Sequence, residues 1–187
     1  MKPILLLFIP LLLTTGCKKE KTELERLPVA TQEGKNSAGF LLDGKAWLPA
    51  QCYVCSDSPI RGYSINTSRD GRILSLTFVR FPKDGKEGES LSFYLPHITK
   101  PDYFALDKVA VPLARTNPAN ATLGILKSSS RYPVVFDTGP DAVSSVTITR
   151  FDTVAHIVSG TFDLTVQEEN GSETHQLTDG RFDLTLQ

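Results

Sequence analysis

Cys52-Tyr53-Val54-Cys55 is the densest chemical signal in this chain: two thiols three positions apart, with a third cysteine, Cys17, far upstream. A pair at this spacing supports three chemistries. In an oxidising compartment it closes a local disulfide, and so short a loop contributes only about 2 kcal/mol on chain-entropy grounds. As a redox motif it needs a strand–loop–helix setting that lowers one thiol pKa. Here Pro49 and Ser56-Asp57-Ser58-Pro59 flank the pair with turn residues, and no helical pattern follows. As half of a structural zinc site it needs two further ligands, and His97, His156, His175 and Asp57 stand at no recognisable spacing. A disulfide between Cys52 and Cys55 is the leading expectation; free or labile thiols and a metal or redox role are the alternatives.

The remaining polar residues give weaker signals. His156 falls on the apolar face of an expected strand, where a buried, hydrogen-bonded histidine is commoner than a ligand. His97 follows Pro96, and His175 lies near the last hairpin. No Gly-x-Ser-x-Gly turn offers a nucleophile, and no glycine-rich phosphate loop follows a strand. Glycoside hydrolysis needs two carboxylates roughly 5–9 Å apart. Asp163 and Asp183 occupy equivalent places in an echoed segment, yet alternation puts both on the solvent face opposite Phe162 and Phe182. No catalytic residue, metal ligand or cofactor site is therefore assigned, and the chain is read as a non-enzyme. Trp47, Tyr53, Tyr63, Tyr94, Tyr103 and Tyr132 would make a sugar-binding platform if several shared a surface. Asp152-Thr153-Val154 matches a short O-glycosylation pattern of which composition alone gives about one instance by chance.

The elements that must position these residues read as strands. Phe40-Leu41-Leu42, Asp43-Gly44 and Lys45 to Leu48 make a hairpin with a tight Asp-Gly turn. A second hairpin runs from Tyr63 through Asp70-Gly71 to Arg80, with Leu74, Leu76 and Phe78 on one face. Leu91, Phe93 and Leu95 alternate in the same way. Residues 100–121 contain no sustained period and read as loop with one short strand or helical turn. Short strands are expected at Thr122 to Lys127 and at Val134 to Phe136. Then Val146 and Ile148, a long strand from Val154 to Val166 with His156 inward, and a last one with Phe182, Leu184 and Leu186 inward are expected. Gly160-Thr161-Phe162-Asp163-Leu164-Thr165-Val166 recurs as Gly180-Arg181-Phe182-Asp183-Leu184-Thr185-Leu186. These are two similar strands of one meander, since nothing else shares the period. The expected fold is all-β: an antiparallel β-sandwich or barrel-like single domain.

Composition narrows the class further. The 187 residues are 40% hydrophobic and 22% charged with a formal net charge of −1. That excludes a disordered chain, a collagen-like repeat and a polytopic membrane protein, and it argues against a nucleic-acid partner. At the N-terminus Lys2 precedes an apolar run from Ile4 to Leu13, broken by Pro10. Ten helical residues rise about 15 Å, half of a bilayer core, so the run reads as a signal peptide over residues 1–16. Leu13-Thr14-Thr15-Gly16-Cys17 resembles a bacterial lipobox, which makes Cys17 the lipidated first residue of the mature chain. Residues 18–26 carry seven charges of alternating sign around Leu24. Residues 17–37 are accordingly expected to be the lipidated cysteine and a flexible, solvated tether, with a reach up to roughly 65 Å, before the all-β domain at 38–187.

One resemblance ties the pieces together. The lipobox, the charged segment, Thr31-Gln32-Glu33-Gly34-Lys35-Asn36, Leu42-Asp43-Gly44-Lys45-Ala46-Trp47-Leu48-Pro49, Ile148-Thr149-Arg150-Phe151-Asp152 and Thr178-Asp179-Gly180-Arg181-Phe182-Asp183 resemble a family of uncharacterised Bacteroidota-type lipoproteins. The resemblance implies an envelope β-domain and assigns no activity. The functional expectation is an outer-membrane, lipid-anchored, non-catalytic binding or structural module that touches a glycan, a peptide or another envelope protein. The alternative is a hydrolase or redox enzyme whose site is assembled across loops.

Overall fold

The computed structural model describes residues 20–50, 58–67, 71–81, 87–109 and 117–187. Cys17, Cys52, Cys55, Tyr53 and the expected signal peptide lie outside the described residues. Eleven strands follow one another: β1 (Ser37–Leu42), β2 (Lys45–Trp47), β3 (Ile60–Thr67), β4 (Gly71–Arg80), β5 (Gly88–Leu95), β6 (Asp102–Ala105), β7 (Asn120–Leu126), β8 (Val134–Asp137), β9 (Ser145–Asp152), β10 (Ile157–Glu168) and β11 (Thr174–Thr185). The described helical structure is a single 3₁₀ turn at Leu24–Arg26.

All strand ladders are antiparallel and belong to one sheet in the order β2-β1-β11-β10-β8-β7-β5-β4-β3, with β9 beside β10 and β6 beside β9. The sheet curls into a half-barrel, so the all-β, barrel-like expectation holds. Right-handed strand twist makes so wide a sheet curl. Its two flanks approach each other where the Gln187 N–H donates to Gly62 O at 2.9 Å and the Ala50 N–H donates to Val79 O at 3.1 Å. The hairpin geometries follow from their turn residues. Asp43 (φ 49°) and Gly44 (φ 79°) both take left-handed backbone, which is what a two-residue turn matched to strand twist requires. Leu74, Leu76, Phe78, Leu91, Phe93 and Leu95 are all buried on the concave face, as their alternation demands.

An aromatic chain organises the concave core. Trp47 stacks on Phe40 with centroids 4.6 Å apart; Phe40 meets Phe162 at 5.7 Å, Phe162 meets Phe93 at 5.0 Å, and Phe182 meets Phe78 at 6.0 Å. The echoed segments find their explanation here. Antiparallel pairing of β10 with β11 sets Gly160 opposite Phe182 and Phe162 opposite Gly180. Each copy's glycine thus lies under the other copy's phenylalanine. A Cβ on Gly180 would sit inside the Phe162 ring, and one on Gly160 would strike the Thr147 carbonyl oxygen and come within 2.7 Å of Phe182 Cζ. Aromatic cover of a strand glycine compensates for the side chain that glycine lacks. The two strands resemble each other because this wedge is reciprocal.

Two expectations need correction. The strand expected from Val154 begins only at Ile157, because Val154–His156 form the turn between β9 and β10. Asp152 Oδ1 accepts from the backbone N–H groups of Val154 (3.0 Å) and Ala155 (2.8 Å), and His156 adopts φ 55°. His156 is consequently exposed, not buried on an apolar face, and Val154 is 90% exposed. The second correction concerns the expected flexible tether at 17–37. From Thr22 to Asn36 the chain is a strap laid across the convex face of the sheet. Thr22 and Glu25 form a reciprocal capping box at the 3₁₀ turn (2.8 and 3.2 Å). Glu23 Oε2 accepts from the Ala46 N–H at 2.8 Å on the edge strand β2, and Leu27 is buried. Glu23 is thus tied to β2, while Lys21, Glu25 and Arg26 remain exposed on the outer side of the strap.

The reciprocal wedge makes a specific mutational pattern. Gly180→Ala should cost about 1–3 kcal/mol of unfolding free energy by overpacking. Combining it with Phe162→Leu, which vacates the space, should cost less than the two single changes together, as measured in a urea-denaturation double-mutant cycle. Simple additivity would show that the glycines are not there to admit the rings.

Candidate functional site

Five described donors converge on the Asp183 carboxylate, more than on any other described acceptor. Thr31 Oγ1 donates to Oδ2 at 2.6 Å and Ser159 Oγ to Oδ1 at 2.7 Å. The backbone N–H groups of Glu33 (3.0 Å), Gly34 (2.7 Å) and Lys35 (3.2 Å) complete the set. Successive N–H groups around a left-handed Gly34 (φ 73°) form an anion-binding nest, and Asp183 supplies the anion. Alternation did place Asp183 on the convex face, paired with Ser159 of β10, but the strap crosses that face and leaves the residue 1% exposed. The expectation of a solvent-facing carboxylate is therefore overturned. Burial by itself raises the carboxyl pKa, yet the hydrogen bonds from Thr31, Glu33, Ser159 and Gly34 outweigh it and hold the group well below the usual aspartate range. Asp163 is not its neighbour: it accepts the Asp179 N–H at 3.0 Å further along the hairpin. The two carboxylates do not face each other across a groove.

Further polar contacts fasten the same strap. Arg150 Nη1 donates to Gln32 O at 2.5 Å while its Nη2 contacts Asp152 at 2.8 Å. Asn36 Oδ1 accepts the Thr185 N–H at 2.9 Å. Of the short sequence blocks that carried the family resemblance, Ile148 to Asp152 and Thr178 to Asp183 thus both hold the block Thr31 to Asn36. Their shared role is architectural.

The histidines separate from one another. His97 lies in the turn after β5 with φ 61°, exposed beside a cleft of about 360 Å³ that also includes Asp102, Asp107 and Lys108. His175 is the one with a defined partner: its Nδ1 lies 2.7 Å from Asp43 Oδ2, so Nδ1 carries the shared proton, and the Gln176 N–H donates to Asp43 Oδ1 at 3.0 Å. Burial opposes ionisation of Asp43, but these bonds hold its carboxyl below the ordinary value. His175 Nε2 is buried without a hydrogen-bond partner, 3.6 Å from Glu173 Oε1, and Phe136 packs edge-on at 4.6 Å. With no nucleophile bonded to Nε2, the pair serves to clamp the β1–β2 turn to β11. Among the described residues no group of three or more His, Cys, Asp or Glu is placed to hold a metal ion. Among the described residues the aromatic set is divided: Trp47 is fully buried, Tyr63 and Tyr94 flank Ser75 on the convex face, and Tyr132 lies in the turn after β7. Thr153 stands exposed in the β9–β10 turn.

At the ends of β4, β5 and β7, at the mouth of the half-barrel, lies a cleft of about 460 Å³ lined by Ala50, Arg80, Phe81, Glu87, Gly88, Glu89, Ile125, Leu126 and Lys127. Arg80 and Glu89 face inward in register on β4 and β5. Glu89 Oε2 accepts from Trp47 Nε1 (2.5 Å), Arg80 Nε (2.9 Å) and Arg80 Nη2 (2.5 Å). The guanidinium lies 5.2 Å from the Trp47 ring centre, a cation–π contact. A fixed ion pair over an indole, with aliphatic walls and Lys127 at the rim, suits a ligand that offers both apolar surface and hydrogen-bonding groups. Barrel mouths of this volume are common small-molecule sites. Reasoning from sequence missed this cluster because Trp47, Arg80 and Glu89 come from three strands; the one local signal was a charged pair, Arg80 and Glu89, ending two strands that are otherwise apolar on that face. No family model, no curated protein and no solved structure matches the chain. Function must therefore be argued from these residues.

The Asp183 latch generates two expectations. Asp183→Asn should lower stability by on the order of 3 kcal/mol, because buried N–H donors lose a charged acceptor, and amide hydrogen exchange at Glu33 to Lys35 should accelerate with it. The pH dependence follows from the depressed pKa. The unfolded chain binds the proton first, near the ordinary aspartate value of about 3.9, so the stabilisation is full above that pH. It is lost as pH falls from there toward the folded value. Acid titration of the unfolding free energy below pH ~4 should show a shallower slope in Asp183→Asn than in the native protein.

Proposed function

We propose that this protein is a lipid-anchored, non-catalytic module of the cell envelope that binds a ligand in the mouth of its half-barrel. The observation that carries the binding half of this reading is the Arg80–Glu89 pair fixed over Trp47 at the floor of a cleft of about 460 Å³. Its ionic groups are already paired and held by the fold, so they offer recognition at little cost in ordering. A glycan or a short peptide fits this chemistry, since both combine polar edges with apolar faces. The anchoring half rests on the resemblance of the Leu13 to Cys17 sequence to a lipobox, which supports an acylated cysteine at the head of the mature chain and a body held at the outer membrane. The pair Cys52 and Cys55 is proposed as a disulfide in that oxidising compartment.

Two measurements test this reading. Thermal unfolding of the protein against a panel of envelope glycans and short peptides should find a stabilising ligand. Lys127→Glu, at the rim, should diminish that stabilisation, and Val143→Glu, in an exposed loop, should leave it intact. Silence across the panel, or an unchanged response in Lys127→Glu, would remove the mouth as the binding site. Separately, Cys17→Ser should abolish incorporation of a fatty-acid probe and release the protein into the soluble fraction; continued labelling would contradict the anchor.

A further inference from the structure

The strap changes how far the body can stand from its anchor. Glu23, whose side chain is bonded to the Ala46 N–H of β2, lies six residues after Cys17 in the sequence. Six peptide steps span at most about 20 Å when fully extended, and some of that length is used in leaving the headgroup layer. That reach keeps the part of the fold nearest Glu23 within about 20 Å of the bilayer surface. That part carries exposed apolar side chains. Leu24, adjoining Glu23, is 47% exposed; Val29 is 78% exposed; Leu48, at the end of β2, is 39% exposed. Pro28, which precedes Val29, and Leu48 both cover Gly39, where a Cβ would lie 2.8 and 2.9 Å from them, and Leu24 follows Glu23, which is bonded to β2 at Ala46. Acidic and basic side chains nearly balance around them, with Glu23 and Glu25 against Arg26 and Lys45, so charge does not oppose an apolar contact.

Resting on the reading that Cys17 is lipidated, we infer that the β2 edge of the half-barrel, through Leu24, Val29 and Leu48, lies against the lipid surface and sets the orientation of the body on the membrane. Partial insertion of three aliphatic side chains beside an acyl anchor adds a second membrane signal to the first. The strap, held by Asp183, makes that orientation rigid.

The test uses the full lipidated chain in phosphatidylethanolamine–phosphatidylglycerol vesicles. Nitroxide labels are attached through Leu24→Cys, Leu48→Cys, Ile65→Cys and Val143→Cys in a Cys52→Ser, Cys55→Ser background. Collision with an aqueous nickel chelate should fall several-fold at positions 24 and 48 relative to 65 and 143. Equal aqueous exposure at all four overturns the inference. A second measurement keeps the native cysteines: hydrogen exchange of the vesicle-bound chain against the Cys17→Ser chain in solution. Slowing confined to residues 22–29 and 45–49 supports the contact, and its absence there overturns it. Vesicle flotation separates the two ideas. A chain that fails to float refutes the anchor, whereas one that floats with aqueous labels at 24 and 48 refutes only the orientation.

Discussion

A carboxylate removed from water must be compensated where it sits, and the compensation for Asp183 comes from the opposite end of the chain. Its donors lie on the strap that precedes β1 and on β10, while the residue itself lies on the last strand. The strap cannot leave without stranding an ionised group against Ser159 on a face whose residues are otherwise covered. Pro28 in turn closes over Gly39 beside Leu48 only while the strap is in place. Burial and hydrogen bonding therefore reinforce each other along one face, and a breach at Asp183 would loosen the whole covering layer. Hydrogen bonds to an ionised acceptor are stronger than neutral ones, which suits them to fixing a segment with no regular secondary structure of its own.

The concave side obeys a different constraint. There the packing is aromatic, and its register is set by the Gly160–Phe182 and Phe162–Gly180 pairs. A one-residue slip between β10 and β11 would set phenylalanines against Thr161 and Arg181, so the reciprocal wedge selects a single alignment of the two longest strands. Everything else in the half-barrel is built outward from this hairpin: β1 pairs with β11 on one side, and β9 and β8 share β10 on the other. The convex latch at Asp183 and the concave wedge at Phe182 are adjacent residues of β11, facing opposite ways. One short sequence, Gly180-Arg181-Phe182-Asp183, thus serves both layers.

What the sequence displays well is period, and period identifies faces. The Asp43-Gly44 turn, the β4 and β5 alternation and the inward set Phe182, Leu184 and Leu186 are legible for that reason. What period does not display is what covers a face. Asp183 alternates outward as expected, and only the strap makes it buried; no local pattern on β11 announces that. The strap itself carries a readable mark, Thr22-x-x-Glu25, a capping box that a count of charges obscures. The turn at Val154–His156 was hidden because Val154 continues the apolar alternation by coincidence, although Asp152, two residues ahead, is the side chain that turns the backbone there. The mouth was illegible for a third reason. Trp47, Arg80 and Glu89 are each ordinary on their own strands, and their chemistry exists only in the register of β4 with β5 and the return of β2.

The strap also bears on how a ligand would reach that mouth. β2 and its continuation present Trp47 inward, under Arg80 and Glu89, and Leu48 outward beside Pro28. The buried indole that holds the cleft's Arg80–Glu89 pair and one of the proposed lipid-facing side chains are therefore consecutive residues. A long solvated tether would have left the cleft free to sample the space around the membrane. If Cys17 carries the proposed lipid, a chain bonded to β2 six residues later would keep the cleft close to the headgroups. Binding by a body so anchored would be governed by what accumulates at that surface, since confinement raises the effective concentration of ligands confined there and does nothing for those dissolved elsewhere. The physical case for a glycan or peptide displayed at the membrane, over a freely diffusing solute, rests on this geometry and not on the cleft alone.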